Sequence, residues 1–508
     1  MKPIINFDDV SYSYPETGGQ AAGKLAVSNL KISIMEGEFL AVMGEDGAGK
    51  STFCKLINGI IPQHSGGCLT GYITVDGMRT DEASVPQLAL KAGMVFDDPD
   101  SQLFTSTVRH EAAFGPENLL LPPEEIEERL EWALAAVGLS GFEQRLPSTL
   151  SGGEKQRLVI AAALAMRGKI LVLDEPLSRL DPQGAEEVMS VLKEIREKFN
   201  ITVIMTAHNS RVVNKYADRV CILKNGTLIA VDTAKKIFAN RALLERNGIQ
   251  PPVDIDINSV FSESTRLENA RIENTRIENT SIAIPSVEFK SVLFFYDSNN
   301  PIIENFDLRI EDNDFIAIAG HNGCGKTSVL KIISGLLRPA FGDIFINGKN
   351  TSELSVSGIS KEAGFVMQNP DNQLFTDSVF NEVAFALKNA GFPKTEIQQR
   401  VQDALTLVGL EKHSAFPHTL SKADRTRLVI ACVIAMGCKI IIFDEVDVGQ
   451  DYKGSLNIMN IAKELHSQGY TIIFVSHNMS LICDNARRLI IIDKKGIVFD
   501  KRRPNNEN

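Results

Sequence analysis

One eight-residue pattern occurs twice in this 508-residue chain, and that repetition limits its architecture more than any other feature. Gly44-Glu45-Asp46-Gly47-Ala48-Gly49-Lys50-Ser51 returns 276 residues later as Gly320-His321-Asn322-Gly323-Cys324-Gly325-Lys326-Thr327. Further landmarks follow in the same order. Asp98-Pro-Asp-Ser-Gln-Leu-Phe104 recurs as Asn369-Pro-Asp-Asn-Gln-Leu-Phe375, at an offset of 271. Leu173-Asp174-Glu175 recurs as Phe443-Asp444-Glu445, and Ala207-His208-Asn209 as Ser476-His477-Asn478, at offsets of 270 and 269. Ordered landmarks at a nearly constant offset mean a duplicated domain. The length also suits two domains of roughly 200–250 residues each.

Within each copy the pattern is strand, then helix. Phe39–Met43 and Phe315–Ala319 read as buried strands feeding a Gly-rich turn and a helix. Lys169–Leu173 and Lys439–Phe443, then Thr202–Met205 and Thr471–Val475, read as further buried strands. Such runs alternating with helical stretches predict an α/β fold, a parallel sheet with helices on both faces. Glu124–Glu128 reads as a solvated helix face. The expected domains are residues 1–246 and 285–508, joined by a polar linker over 247–284. The linker holds Arg266-Leu-Glu-Asn-Ala, Arg271-Ile-Glu-Asn-Thr and Arg276-Ile-Glu-Asn-Thr, a period of five that fits neither a strand nor one helix face. It reads as a flexible low-complexity segment, with a small docking element as the alternative.

Composition removes several classes. No stretch approaches the 18 or more apolar residues of a membrane span; Leu158–Met166 and Leu428–Met436 stop at Arg167 and Gly437. The start, Met1-Lys2-Pro3-Ile4, lacks the apolar core of a signal peptide. A membrane role is therefore expected to come through a partner. The formal charge of −11 argues against a duplex-binding surface, and no nucleic acid is expected. Seven scattered cysteines show no metal-ligand spacing and read as reduced thiols.

Both Gly-rich segments satisfy G-x-x-x-x-G-K-[ST] in a strand-to-helix context. Their glycines let backbone N–H groups curl around phosphate oxygens at a helix N-terminus. Lys50 and Lys326 would neutralise the β/γ-phosphates of ATP, and Ser51 and Thr327 would ligate Mg²⁺. Thr52 and Ser328, next in line, complete the ATP-binding set. Asp174 and Asp444 end apolar strands, where a carboxylate can hold the Mg²⁺ shell. Glu175 and Glu445 are placed to polarise the attacking water. His208 and His477 follow 33 and 32 residues later, each just past a strand, and read as γ-phosphate contacts.

Leu150-Ser151-Gly152-Gly153-Glu154-Lys155-Gln156-Arg157 resembles the signature motif of ATP-binding-cassette ATPases. That resemblance implies two P-loop domains, each with a RecA-like parallel core, a small antiparallel β subdomain and a helical signature subdomain. It also implies that the cassettes pair head to tail within the chain, Ser151, Gly152 and Gly153 closing over ATP held by the other P-loop. Tyr14 and Tyr296 match the family's adenine-stacking aromatic, with a purely structural role as the alternative. The Asp98–Phe104 and Gln368–Phe375 segments, with Phe114-Gly-Pro-Glu-Asn118, resemble the ATPases of energy-coupling-factor importers. In that family the region docks a transmembrane scaffold, and a separate membrane protein captures the substrate. The chain would then sit peripherally on the cytoplasmic face of the membrane.

The copies diverge at two places. The second signature reads Leu420-Ser421-Lys422-Ala423-Asp424-Arg425-Thr426-Arg427, with side chains where the two glycines should be. Gln368 has Asp97 as its counterpart, which can still ligate Mg²⁺ but brings a negative charge and loses an amide donor. Head-to-tail pairing puts both departures on the site of the first P-loop, so the resemblance implies one degenerate ATP site and one consensus site. Ser421 is retained, and would still contact ATP. The other class open to such a chain is a soluble tandem-cassette ATPase acting on ribosomes or nucleic acid. A third, a regulatory nucleotide-binding module, conflicts with the two retained Glu–His pairs.

Overall fold

Phe39–Met43 has no exposed side chain, and an all-apolar run this short belongs in a sheet covered on both faces. The computed structural model describes residues 2–15, 25–178, 180–252, 260, 284–297, 300–411, 413–493 and 495–504. Near residue 253 the chain divides into two compact units.

In the first unit, β1 (Pro3–Ser13), β2 (Leu25–Met35), β4 (Cys68–Val75) and β5 (Met78–Arg79) make an antiparallel sheet ordered β2-β1-β4-β5. The larger sheet contains β3 (Phe39–Met43), β6 (Ala92–Val95), β7 (Ile170–Leu173), β8 (Thr202–Thr206), β9 (Arg219–Lys224) and β10 (Thr227–Thr233). Its order is β10-β9-β3-β8-β7-β6, parallel except for the β9–β10 hairpin. β3, β7 and β8 are buried along their whole length, which is why they lack polar alternation.

The second unit repeats the plan. β11 (Val287–Phe295), β12 (Pro301–Ile310), β14 (Phe341–Ile346) and β15 (Lys349–Asn350) form the antiparallel sheet, ordered β12-β11-β14-β15. β13 (Phe315–Ala319), β16 (Ala363–Val366), β17 (Ile440–Asp444), β18 (Thr471–Val475), β19 (Arg488–Asp493) and β20 (Gly496–Arg502) form the other, ordered β16-β17-β18-β13-β19-β20. Only its β19–β20 pair is antiparallel. Each unit is thus α/β: the mostly parallel sheet is the one that the strand–helix pattern predicts, and the separate antiparallel sheet the one that the resemblance implies.

Each unit also carries a helical group. Val108–Asn118, Pro123–Ala136 and Gly152–Ala165 pack together in the first, burying Val108, Leu130, Leu134 and Leu158. Each side chain of this size removed from water stabilises by about 1.5–3 kcal/mol. Val379–Asn389, Lys394–Leu407 and Lys422–Met436 are the counterparts. Glu124 and Glu128 face solvent on their helix, and Glu125 pairs with Arg129 at 2.6 Å.

Leu244 and Ile249 are buried in the first core, and Ser210 Oγ donates to the Gln250 carbonyl. Packing therefore continues past residue 246, where the sequence reading ended its first domain. The Arg-Ile-Glu-Asn-Thr repeats lie outside the described residues. Among the described residues no helix is long and apolar enough to cross a membrane. All seven cysteines are free thiols.

Candidate nucleotide sites

The sheet order puts β3 beside β8, and β8 beside β7, so the carboxyl ends of three parallel strands open onto one place. Ligands of open α/β sheets bind at such ends. In the first unit these ends deliver the P-loop, His208 and the Asp174–Glu175 pair. In the second, β13, β18 and β17 deliver the second P-loop, His477 and Asp444–Glu445.

Each P-loop turns on glycines held at positive φ. Gly44 (φ +154°) has no room for a side chain, since a Cβ would lie 2.2 Å from the Leu223 carbonyl oxygen. Gly320 (φ +148°) meets Ile492 O at the same 2.2 Å. Gly49 and Gly325 cap the helices Lys50–Ile57 and Lys326–Ile333 in the left-handed conformation. Glu45 and Ala48 close a tight turn through the Ala48 N–H to Glu45 O bond (3.1 Å), as Cys324 and His321 do at 3.3 Å. Asp46, Gly47, Asn322 and Gly323 lie exposed at the loop tips.

Lys50 and Lys326 are 5% and 4% exposed, and a buried ammonium needs partners. Lys50 Nζ donates to the Gly44 and Glu45 carbonyls at 3.1 and 3.2 Å, and Lys326 Nζ to Gly320 and His321 at 2.9 Å each. Both ammonium groups are thereby held over the loop where phosphates would lie.

Asp174 accepts from Ser51, and Asp444 Oδ1 accepts from Thr327 Oγ1 at 3.1 Å. Burial raises both carboxyls above the usual range, Asp444 to about 6, with the Glu445 charge adding to the effect. Hard oxygen donors paired at a desolvated carboxylate fit Mg²⁺. Asp97 adds its negative charge to Asp174, a further push upward.

The catalytic candidates meet. His208 Nε2 lies 2.8 Å from Glu175 Oε1, and His477 Nε2 lies 3.0 Å from Glu445 Oε1. Glu175 and Glu445 share a left-handed backbone at φ +48° and +49°. Their second contacts differ: Lys50 Nζ sits 3.6 Å from Glu175, whereas Gln368 Nε2 donates to Glu445 Oε2 at 3.2 Å. Asp46 also approaches the first pair, 3.5 Å from His208 Nε2.

Tyr14 and Tyr296 each pack edge-on against a neighbouring ring, Tyr12 and Phe294. Their hydroxyls lie 3.2 Å from Thr52 Oγ1 and Ser328 Oγ, at the start of each P-loop helix. Tyr14 stays 39% exposed and Tyr296 62%, so each ring keeps open surface beside its P-loop.

Ser151 caps the helix Gly152–Ala165 in a reciprocal box, accepting from Glu154 N at 3.3 Å while Glu154 Oε2 accepts from Ser151 N at 2.7 Å. Nothing in its own unit crowds Gly152 or Gly153, whose nearest neighbours would meet a Cβ at 3.5 and 3.7 Å. Ser421 caps the helix Lys422–Met436 and accepts from Asp424 N at 3.1 Å. Lys422 turns back on its own unit, Nζ donating to Val448 O at 2.9 Å.

Two features escaped sequence reasoning. Lys155 pairs with Asp100 at 2.7 Å and Arg425 with Asp371 at 3.1 Å, tying each Pro-Asp loop to its signature helix. Nearly equal spacing in the two copies (155 − 100 = 55; 425 − 371 = 54) is the signal that would have found them. Exposed aromatics also pair edge to face, Phe104 with Phe114 and Phe375 with Phe385, at 4.7 Å in both units.

The family described as ABC transporter matches residues 27–178 and 303–447. A putative ABC transporter ATP-binding protein of Methanosarcina acetivorans is 34% identical across 98% of this chain and 85% of its own length. Another, from Caldanaerobacter subterraneus, is 34% identical across 95% of this chain and 89% of that protein. Among solved structures, cbiO1 of Clostridium perfringens, described as part of the ABC transporter complex cbiONQ, is 32% identical. It covers 48% of this chain and 94% of its own, with a TM-score of 0.43.

Proposed function

This chain belongs to the ABC transporter family as a two-cassette ATPase whose hydrolysis of ATP is coupled to transport, and we propose that it energises an energy-coupling-factor importer. The cargo class would be a vitamin, metal ion or similar micronutrient, captured by a separate membrane protein. A transmembrane scaffold subunit would hold the chain peripherally at the cytoplasmic face of the membrane.

The observation that carries this reading is the pair of exposed aromatic contacts at matching places. Phe104 and Phe375 are 66% and 63% exposed, next to the Pro-Asp loops that resemble the importer's docking region. Edge-to-face pairing fixes the rings while leaving apolar surface open to a partner. Both loops are ion-paired to a signature helix, which offers a path from a docked membrane helix to the nucleotide.

Two composite ATP sites would form head to tail within the chain. Gly152 and Gly153 have room for side chains in their own unit, so their bareness suits the approach of a phosphate from outside it. The consensus site would pair the second P-loop, Gln368, Glu445 and His477 with Ser151, Gly152 and Gly153. There Glu445 orients the attacking water and takes up its proton at a carboxylate oxygen, while His477 holds that carboxylate in place. The degenerate site would pair the first P-loop, Asp97, Glu175 and His208 with Ser421, Lys422 and Ala423. It would retain ATP and turn it over slowly. Ser51 with Asp174, and Thr327 with Asp444, would hold Mg²⁺, which when bound neutralises phosphate charge.

The test is co-purification from detergent-extracted membranes. A transmembrane scaffold bound to the full chain is expected. Recovery with ribosomes instead would overturn the importer reading and favour the soluble class.

A further inference from the structure

Glu175 and Glu445 both occupy the left-handed region, which costs a non-glycine residue about 1–3 kcal/mol and persists only where surroundings impose it. The surroundings differ between the copies. In the first unit Thr206 Oγ1 accepts from Glu175 N at 2.7 Å and donates to Asp174 Oδ1 at 2.7 Å. One buried hydroxyl thus pins the end of β7 to the end of β8. The second unit has Val475, with no hydroxyl, at the position of Thr206, and Glu445 N donates to the Val475 carbonyl at 3.2 Å.

The missing hydroxyl reappears one residue later. Ser476, fully buried, donates from Oγ to Asp447 Oδ2 at 2.7 Å and accepts from Asn478 N at 3.0 Å. Asn478 in turn caps the helix Met479–Asn485 by accepting from Leu481 N at 3.2 Å. The first unit carries Leu177 and Ala207 at the places of Asp447 and Ser476, an apolar pair with neither donor nor acceptor. Both partners therefore differ together between the copies, and in the second unit they close a ring. From Glu445 the chain runs through Val446 to Asp447, crosses to Ser476, and returns through His477 to Glu445 Oε1.

We propose that Asp447 and Ser476 are positioning residues for hydrolysis in the second cassette, their hydrogen bond doing for Glu445 and His477 what Thr206 does for Glu175 and His208. The proposal rests on the reading above that Glu445 and His477 serve hydrolysis. Neither Asp447 nor Ser476 would touch ATP. Their bond fixes the residue before His477 to the residue two after Glu445, so the carboxylate and imidazole cannot drift apart while the strained backbone is retained. Small displacements of reacting groups are costly, with 1 Å misplacement reaching about 100-fold in rate.

The test transplants the tether within the full chain. Asp447→Leu with Ser476→Ala installs the first unit's apolar pair and should lower kcat for ATP hydrolysis by about 10-fold or more, with KM for ATP unchanged. Adding Val475→Thr, the first unit's own tether, should restore most of kcat. A merely structural role would not yield that rescue. The single change Ser476→Ala, which alters one buried atom, should fold even if the double variant does not and should show the same kcat–KM split. Glu445→Gln is measured beside them. If Glu445→Gln abolishes turnover while the folded Ser476→Ala and double variants keep parental kcat, the tether is overturned and the site reading stands. If Glu445→Gln leaves turnover intact, the site reading falls and the tether with it.

Discussion

Gln368 donates from Nε2 to Glu445 Oε2 at 3.2 Å, so an uncharged amide braces the second cassette's carboxylate from the side opposite His477. The first cassette has Asp97 at that position, and an acid cannot brace an acid: its charge instead bears on Asp174. The two Glu–His pairs are alike in geometry and unlike in electrostatics. Glu175 has the Lys50 ammonium 3.6 Å away, a cation that competes with water for its carboxylate.

Unequal turnover follows. Glu445→Gln should lower the steady-state ATPase rate of the full chain by about 100-fold or more, the range lost with a general base. Glu175→Gln should leave the rate within about threefold of the parent, as the proposed degenerate first site requires. Phosphate release under saturating ATP measures both. Equal losses would remove the proposed asymmetry.

Asp97→Gln should act in the opposite direction. It removes a negative charge beside Asp174 and returns an amide donor to the first site. In a Lys326→Ala background, which silences the second P-loop, ATP affinity should rise about fivefold to tenfold, the roughly 1 kcal/mol between unit charges about 4 Å apart in bulk water. Calorimetric titration reads this directly, and unchanged or weaker affinity would place Asp97 outside the phosphate field.

How much of this was legible in the chain depends on what repeats. The P-loops, the Asp–Glu strand ends and the two histidines recur at near-constant offsets, so β3, β7 and β8 and their counterparts could be placed by sequence alone. Phe39–Met43, Phe315–Ala319 and Thr471–Val475 coincide with their strands residue for residue. Features that differ between the copies were not legible. Thr206 and Ser476 look like ordinary polar residues at strand ends, and nothing in the chain says that each hydroxyl crosses to a neighbouring loop. The return of Lys422 onto Val448 was equally hidden, since sequence shows a long side chain but not its rotamer.

The exposed rings give a prediction about partners. Phe104→Ser with Phe375→Ser should abolish recovery of the transmembrane scaffold with the chain. The melting midpoint should stay within about 1 °C, since exposed side chains contribute little to stability. Retention of the scaffold by a folded double variant would move the docking surface elsewhere.

Asp447 supplies a pH dependence whose sign can be fixed in advance. The residue as a whole is partly exposed, yet burial of its carboxyl pushes the pKa from 3.8 to about 6. The Ser476 hydrogen bond and His477 oppose the rise, and the Glu445 charge adds to it. A carboxyl raised on folding binds its proton more tightly in the folded chain. Its favourable contribution is therefore complete below about pH 4 and is lost as the pH climbs through about 6. Asp447→Asn keeps an acceptor for Ser476 and removes the ionisation. The melting midpoint of the variant minus that of the parent should be near zero at about pH 4. It should then grow to a plateau on the order of a few degrees above about pH 6.5. A difference that does not change between those limits would mean that the Asp447 carboxyl stays solvated, and that its bond to Ser476 is made without desolvation.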